Sequence, residues 1–186
     1  MTRSRMIAFS LVELLIALAI IALTLGLIAP EMQTFLTRTK VTSQVNQLVK
    51  IIHMARETAI YRNQRVIVCR SENGIECGGD WHEGILLFTD TNGDKQRHTT
   101  EEIIHAFPAF RNGDRLYWRA FRNRQYLEMS PRGFTAWQNG TFTYCPTEGL
   151  EYARGVILNA AGRIRLSTDS DNDGIHEGSS GRPLRC

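Results

Sequence analysis

An apolar segment of 21 residues, 9–29 (FSLVELLIALAIIALTLGLIA), follows a short basic leader at the start of the chain. A membrane-spanning helix needs about 20 mainly apolar residues, so this segment is long enough to cross a bilayer. A secretory signal peptide has a shorter core and a small-residue cleavage site after it, whereas here the small residue Ala8 precedes the core. Glu13 is the only charged residue in the segment. Because a charge inside a bilayer costs about 2.5–3.5 kcal/mol on insertion scales, Glu13 is a candidate functional residue.

The helical pattern continues beyond Pro30. Apolar residues recur at spacings of three and four at Val41, Val45, Leu48, Ile52, Ala55 and Ala59. Such a stripe is typical of an amphipathic helix that packs against other elements. One helix from about Phe9 to Arg62 is therefore predicted, with a kink or local loosening at Pro30.

After Asn63 the apolar period changes to two, and turn residues follow at short intervals. Eight strands are predicted, at Arg65–Arg70, Gly84–Thr89, Glu101–Ala106, Arg115–Phe121, Gln125–Met129, Thr141–Tyr144, Gly155–Leu158 and Arg163–Ser167. Short strands separated by frequent turns indicate antiparallel pairing. The sequence thus predicts an α+β fold, in which a long N-terminal helix packs on a C-terminal antiparallel β domain.

Four cysteines allow three disulfide pairings. A domain that lies beyond a membrane faces an oxidising compartment, which favours disulfides. Cys69 and Cys77 would close a small turn-rich loop, and Cys145 and Cys186 would then fasten the C-terminus to a strand. Metal binding is the alternative, but the chain has no CxxC motif.

The segment Ala8-Phe9-Ser10-Leu11-Val12-Glu13 resembles the prepilin-type signal of type IV pilins and type II secretion pseudopilins. The resemblance implies that a prepilin peptidase cuts between Ala8 and Phe9, and that the Phe9 amine is then methylated. It also implies that Glu13 neutralises this amine on a neighbouring subunit. Ala8 departs from the glycine that usually precedes the cut. The alternative is an ordinary single-span anchor whose Glu13 reaches the membrane interface.

Further blocks are similar to the FimT/FimU minor pilins and the H-type pseudopilins of type II secretion: Glu83–Asp94, Ser130–Gly133, Gly140–Cys145 and Gly162–Arg165. The resemblance implies a pilin-like fold with two small sheets. Four segments follow from it and from the patterns above: a cleaved leader at 1–8, a transmembrane and assembly segment at 9–30, an amphipathic helix at 31–62 and a β-rich globular domain at 63–186.

Arginine outnumbers lysine by 19 to 3, and arginine offers a planar fork that suits phosphate. On the predicted strand, Arg115 and Arg119 share one face with Tyr117, and Arg122 falls on the other face with Trp118. The purely structural interpretation is that the aromatic side chains are buried in the core and the arginines lie on a solvated face. The functional one is a surface that follows a nucleic-acid backbone and stacks its bases.

Gly162-Arg163-Ile164-Arg165 resembles the GRxR element that FimT-type pilins use to capture DNA in natural transformation. The resemblance implies Arg163 and Arg165 as DNA contacts, on one side of an extended chain whose Ile164 points inward. Arg182 and Arg185 in the C-terminal tail are candidate helpers. The acidic run Asp169–Asp173 lies close by in sequence and would repel phosphate.

No catalytic motif is present in the sequence, and we expect a non-enzyme that needs no cofactor. Asp169, Asp171, Asp173 and Gly174 reproduce the start of a calcium loop. The twelfth position, which requires a bidentate glutamate, is Ser180, although Glu177 could substitute. A weak calcium site and a plain acidic loop both remain open here.

The resemblance implies a minor pilin that enters or primes a type IV pilus, with DNA capture as a further candidate role. The alternative is an H-type minor pseudopilin of type II secretion. In either case the expected partners are other pilins bound through the N-terminal helix. Before assembly the chain is expected in the inner membrane, with its globular domain in the periplasm.

Overall fold

In the computed structural model the described residues are 10–111 and 113–186. One long helix, α1, spans Leu11–Arg62. Eight strands follow: β1 Arg65–Arg70, β2 Ile85–Asp90, β3 Ile103–Phe107, β4 Arg115–Ala120, β5 Tyr126–Met129, β6 Gly140–Cys145, β7 Arg154–Leu158 and β8 Ile164–Leu166. Each predicted strand is present, within one or two residues of its predicted bounds. The end of β4 differs from the prediction in its conformation, as described below.

The strands form two four-stranded sheets, with the orders β3-β2-β1-β5 and β4-β6-β7-β8. All the strand pairs are antiparallel. The predicted α+β class, with a helix followed by antiparallel sheets, is confirmed.

Asn63 ends the helix and turns the chain into β1. Its backbone has a φ of 51°, a left-handed conformation that asparagine tolerates better than most residues. The next residue, Gln64, donates its backbone N–H to the carbonyl of Ala59 at 3.2 Å, which satisfies an otherwise free carbonyl of the last turn. The left-handed turn at Asn63 is therefore why a helix can lead directly into a strand here.

The main core joins one face of α1 to the inner faces of both sheets. All six residues of the predicted stripe are buried, and Ile51 beside them is also fully buried. The sheets contribute alternating residues such as Val66 and Val68 from β1 and Val156 and Leu158 from β7. A second, small cluster of Ile67, Cys69, Leu86 and Phe88 lies on the opposite face of the first sheet.

Strand β4 ends at Ala120 rather than at Phe121, and the predicted placement of Arg122 is wrong. Residues Phe121–Asn123 form a short 3-10 turn in which Arg122 has a φ of 60°. This left-handed residue breaks the alternation of the strand, so Arg122 does not share the buried face of Trp118. Its side chain is exposed instead.

The chain divides into two compact units, one ending at Thr39 and the other spanning Lys40–Cys186. The second unit holds both sheets, and its buried helical residues begin at Val41. In the first unit the described side chains of α1 are largely exposed.

Candidate functional site

Ser10 caps the first turn of α1, where Glu13 lies. The Ser10 Oγ accepts a hydrogen bond from the backbone N–H of Glu13 at 3.2 Å, and the Ser10 carbonyl accepts one from Leu14 at 3.2 Å. Serine is a preferred residue at this position because its oxygen satisfies a free N–H of the first turn. The carboxylate of Glu13 also interacts favourably with the positive end of the helix dipole. The predicted processing residues Ala8 and Phe9 lie outside the described residues.

Exposed apolar side chains are numerous in the described part of the first unit, mainly between Leu11 and Leu25. Leu11 is 75% exposed and Leu23 is 71% exposed. Other exposed apolar side chains in this unit are Val12, Leu14, Leu15, Ile16, Leu18, Ile20, Ile21, Leu25, Met32, Phe35 and Leu36. Exposed apolar surfaces of this extent mark sites of contact with a membrane or another protein.

Within the described residues, no single helix without a bend is long and apolar enough to cross a membrane. The stretches Leu11–Gly26 and Glu31–Arg62 meet the requirement of length and composition only together, as a bent pair.

The predicted arginines of β4 and β8 lie on the outer face of the second sheet. Arg119 pairs in register with Thr141, Thr141 with Ile157, and Ile157 with Arg165. Side chains opposite each other in register point to the same face. Arg119 and Arg165 therefore lie on one face three inter-strand spacings apart, or roughly 14 Å. Arg115 shares this face, as the alternation of exposed and buried residues in β4 shows.

The C-terminal segment brings two further predicted arginines to this face. Arg182 and Arg185 line a groove of about 280 Å³ together with Arg119. The groove is also lined by hydroxyls, from Thr141, Thr143, Ser179 and Ser180. A neighbouring groove of about 300 Å³ has Arg70, Arg115 and Arg119 in its wall, with Asp80. Arg119 thus separates two grooves that both carry positive charge.

Arg163 lies in the turn before β8 rather than in the strand. The Asn159 Oδ1 accepts a hydrogen bond from the Arg163 backbone N–H at 2.9 Å, which fixes the β7–β8 turn. Arg163 and Arg165 are both exposed, and Ile164 packs against the main core, as predicted.

Trp137 was not identified from the sequence, although this exposed aromatic residue lines a groove with the candidate Arg122. Trp137 is 80% exposed, and its backbone has a φ of 60°. It lines a groove of about 340 Å³ with Phe121 and Arg122, and the Arg122 guanidinium carbon lies 5.4 Å from the centroid of the Phe121 ring. The polar sequence around Trp137, which runs into Asn139-Gly140, was the available signal of an exposed turn.

Two other arginines show how an ion pair with a glutamate changes the pKa values of both groups. Arg62 forms an ion pair with Glu102, and Arg111 forms one with Glu148 at 2.6 Å. The hydrogen bond between Arg111 and Glu148 raises the pKa of Arg111 and lowers the pKa of Glu148. By contrast, among the described ion pairs none includes any of the seven candidate arginines: Arg115, Arg119, Arg122, Arg163, Arg165, Arg182 and Arg185. Their charge is left to solvent or to an anion.

The remaining candidate residues form compact groups. Asp169, Asp171 and Asp173 lie together with Glu177, and each offers a carboxylate oxygen within 4.8 Å of the others. The cysteines form disulfides between Cys69 and Cys77 and between Cys145 and Cys186, which is the pairing predicted from the sequence.

Comparison with protein families gives a match to the family described as type II transport protein GspH, over residues 44–162. The chain belongs to the GspH family. The matched region begins within α1 and ends in the β7–β8 turn, so it holds most of both sheets. Arg163, Arg165, the two arginines of the C-terminal segment and the acidic loop lie beyond it.

Solved structures of low sequence identity share the fold of this GspH-family chain. The type IV minor pilin FimU of Pseudomonas aeruginosa strain PAO1 superposes with a TM-score of 0.56 at 18% identity, over 72% of this chain and 92% of that chain. The minor pseudopilin EpsH from the type 2 secretion system of Vibrio cholerae gives a TM-score of 0.51 at 12% identity, over 71% of this chain and 99% of that chain. A search of curated protein sequences gives no match. The predicted pilin-like fold is confirmed.

Proposed function

We propose that this chain is a minor pilin. A prepilin peptidase processes it and the inner membrane holds it. It then enters a type IV pilus or primes the assembly of one. The observation that carries the proposal is the exposed apolar surface of residues 11–26, with Glu13 as its single charge. This surface is too apolar to be stable in water, and it is suited first to lipid and then to the packed helices of a filament. The role is one of assembly rather than catalysis.

Glu13 is proposed to pair with the amine of Phe9 on a neighbouring subunit. In a bundle of apolar helices each of these charges would be costly alone, because a buried unpaired charge has lost its hydration. Removing one partner of a buried pair typically costs about 3–5 kcal/mol. Assembly should therefore depend on Glu13 even though insertion into the membrane does not.

The test is to replace Glu13 by glutamine in the native host and to measure the chain in membranes and in sheared filaments by immunoblotting. Glu13→Gln should insert normally and reach filaments at less than about a tenth of the wild-type level, in line with the loss of a buried pair. Glu31→Gln is the matched control, since Glu31 is also an exposed glutamate of α1. Normal incorporation of the Glu13 variant would exclude the proposed pairing.

The alternative is a minor pseudopilin of type II secretion, which is supported by the description of the family and by the likeness to EpsH. The same helix would serve either filament, so α1 does not discriminate between them. Deletion of the gene does: a minor pilin is needed for surface pili, whereas a pseudopilin is needed for secretion of folded proteins. Loss of secretion with intact pili would replace the first proposal by the second.

Capture of DNA is a second candidate function, and the observation that favours it is the set of unpaired arginines on one face of the second sheet. Arg119 and Arg165 lie on this face, and Arg182 and Arg185 border it. Phosphates attract such a surface without regard to base sequence, and each phosphate contact displaces a counterion. The expected partner is therefore DNA of any sequence.

DNA binding should weaken steeply with salt, by about −0.9 in log K against log salt for each phosphate contact on duplex DNA. The double variant Arg163→Gln with Arg165→Gln should bind more weakly and reduce the slope by about two. The matched control is Arg62→Gln with Arg111→Gln, which removes two arginines that already have carboxylate partners. Equal effects of both double variants, measured by fluorescence anisotropy on the full chain in detergent, would show only a dependence on net charge.

A further inference from the structure

The loop that follows β8 gathers four carboxylates around one point. Asp169, Asp171, Asp173 and Glu177 each present an oxygen, and these oxygens all lie within 4.8 Å of one another. Four negative charges this close repel one another strongly unless a cation lies between them.

Glu177 is the residue that makes this loop more than an acidic surface turn. Its side chain is only 7% exposed. The Oε2 atom accepts a hydrogen bond from the backbone N–H of Ser170 at 2.7 Å, whereas the Oε1 atom is buried and has no hydrogen-bond partner among the described residues. A buried carboxylate oxygen without a partner is strongly unfavourable. Because this carboxylate belongs to the cluster, a bound cation would satisfy it.

Asp169 shows the same division of its two oxygens. Its Oδ2 accepts a hydrogen bond from the Gly174 backbone N–H at 3.0 Å, and its buried Oδ1 has no partner among the described residues. Asp171 and Asp173 each accept one backbone hydrogen bond, from Asp173 and Ile175, at 3.3 Å and 2.7 Å. One oxygen of each aspartate thus holds the loop, and the second is available to a ligand.

We propose that residues 169–177 bind one calcium ion through the carboxylates of Asp169, Asp171, Asp173 and Glu177. Ca²⁺ takes six to eight oxygen ligands in flexible geometry, and calcium loops take them from alternate positions along the chain. The proposed ligands follow that alternation, with the main-chain carbonyl of Ile175 at the intervening position and water completing the shell. Zn²⁺ prefers nitrogen and sulfur ligands, which this cluster does not contain.

Calcium at this site would order the C-terminal segment. Glu177 is bridged by backbone pairing to Thr168 on one side and to Pro183 on the other. It therefore connects the end of β8 to the segment that carries Arg182 and the disulfide at Cys186. Bound calcium would also reduce the negative charge beside the arginines of that segment. Because the loop lies outside the region matched by the GspH family, we infer the site for this chain and not for the family.

The test is isothermal titration of the full-length chain in detergent, after treatment with a chelator, with CaCl₂ and separately with MgCl₂. One Ca²⁺ should bind per chain, with a dissociation constant of about 10⁻⁴ M and at least tenfold more tightly than Mg²⁺. Glu177→Gln and Asp171→Asn should each weaken calcium binding at least about tenfold, since each removes a charged ligand. The control is Glu83→Gln, in the other group of metal-ligand residues, which also contains Asp80 and His82. It should bind calcium as the wild type does.

A second readout is the melting temperature. At about 1 mM, calcium should raise it more for the wild type and for Glu83→Gln than for the two loop variants. Without calcium, Glu177→Gln should melt no lower than the wild type, because it removes an uncompensated buried charge. If Glu177→Gln does not fold, Asp171→Asn carries the test, since Asp171 is exposed. The absence of calcium binding at about 10 mM, equal affinity for Mg²⁺, or unchanged binding by Asp171→Asn would each overturn the proposal.

Discussion

Tyr144 and Asp114 form a buried polar contact beneath the arginine-bearing sheet. Tyr144 is 2% exposed and Asp114 is 1% exposed. The hydroxyl of Tyr144 donates to the Oδ2 of Asp114, and the backbone N–H of Thr147 donates to the Oδ1 at 3.0 Å. Burial, followed by the hydrogen bond to Asp114, raises the pKa of Tyr144. The pair fixes the end of β6 against the start of β4.

Tyr144→Phe should lower the free energy of unfolding by about 1–3 kcal/mol at pH 7, because it leaves a buried carboxylate oxygen without its donor. Since the raised pKa favours the protonated hydroxyl in the folded state, this contribution is complete below the pKa of about 10 of an unfolded tyrosine. It is lost as the pH rises through the folded pKa. The difference between wild type and variant in urea unfolding should therefore narrow above about pH 10. Tyr61→Phe is the control, as Tyr61 is 91% exposed, and an equal loss in both variants would contradict the prediction.

At the scale of elements, two of the sequence blocks similar to minor pilins meet against the helix. The Arg56 Nε of α1 donates to the Gly133 carbonyl at 3.0 Å, in the turn after β5. Gly162, in the turn before β8, has a φ of +72°, and a Cβ there would lie 2.4 Å from the same carbonyl oxygen. Gly162 is therefore required both by its backbone conformation and by the close approach of a neighbouring chain segment.

Gly162→Ala should destabilise the fold more than Gly181→Ala does. Gly181 has a similar φ of +70° but nothing within 4 Å of an added Cβ, so alanine there meets only the backbone strain. That strain costs about 1–2 kcal/mol. The clash with the Gly133 carbonyl should add about 1–3 kcal/mol, as overpacking does elsewhere. Urea unfolding measures both values, and equal losses would show that the carbonyl moves aside at no cost.

The sequence predicted α1 and β4 well because each has a clear periodicity. The stripe from Val41 to Ala59 and the alternation in β4 come from burial on a single face, which sequence spacing records directly. Ile51 was missed because α1 packs against both sheets, which widens the buried face beyond the predicted stripe. The left-handed backbone of Arg122 was missed because nothing in its side chain requires that conformation.

The candidate site was predicted only in part, because much of it depends on contacts between segments that sequence spacing does not reveal. The face shared by Arg115 and Arg119 follows from alternation, but the division of strands into two sheets does not. The groove formed with Arg182 and Arg185 depends on the path of a C-terminal segment that has no periodic pattern. Glu177 was noted as a substitute ligand, yet its burial depends on pairing with Thr168 and Pro183, which spacing does not reveal.

At the scale of the whole molecule, the described apolar side chains of α1 are exposed before Val41, and from Val41 onward one face of the helix is buried. Among the described residues the buried apolar side chains begin at Val41, and before it Met32, Phe35 and Leu36 are exposed. Both disulfides also lie within Lys40–Cys186. The second unit therefore has a core of its own, whereas the described apolar side chains of the first unit are largely exposed.

A fragment spanning 40–186 should therefore fold without detergent and melt within a few degrees of the full chain, because it retains all the buried apolar side chains among the described residues. A fragment that begins at Ile52 should not fold. It loses Val41, Val45, Leu48 and Ile51, which are all buried, and burying each such side chain contributes about 1.5–3 kcal/mol. Their sum is comparable with the stability of about 5–15 kcal/mol that a domain typically has. Circular dichroism with thermal melting of both fragments checks this. A folded 52–186 fragment would mean that the sheets are stable without most of the helix, and failure of the 40–186 fragment to fold would mean that the first unit contributes to the core.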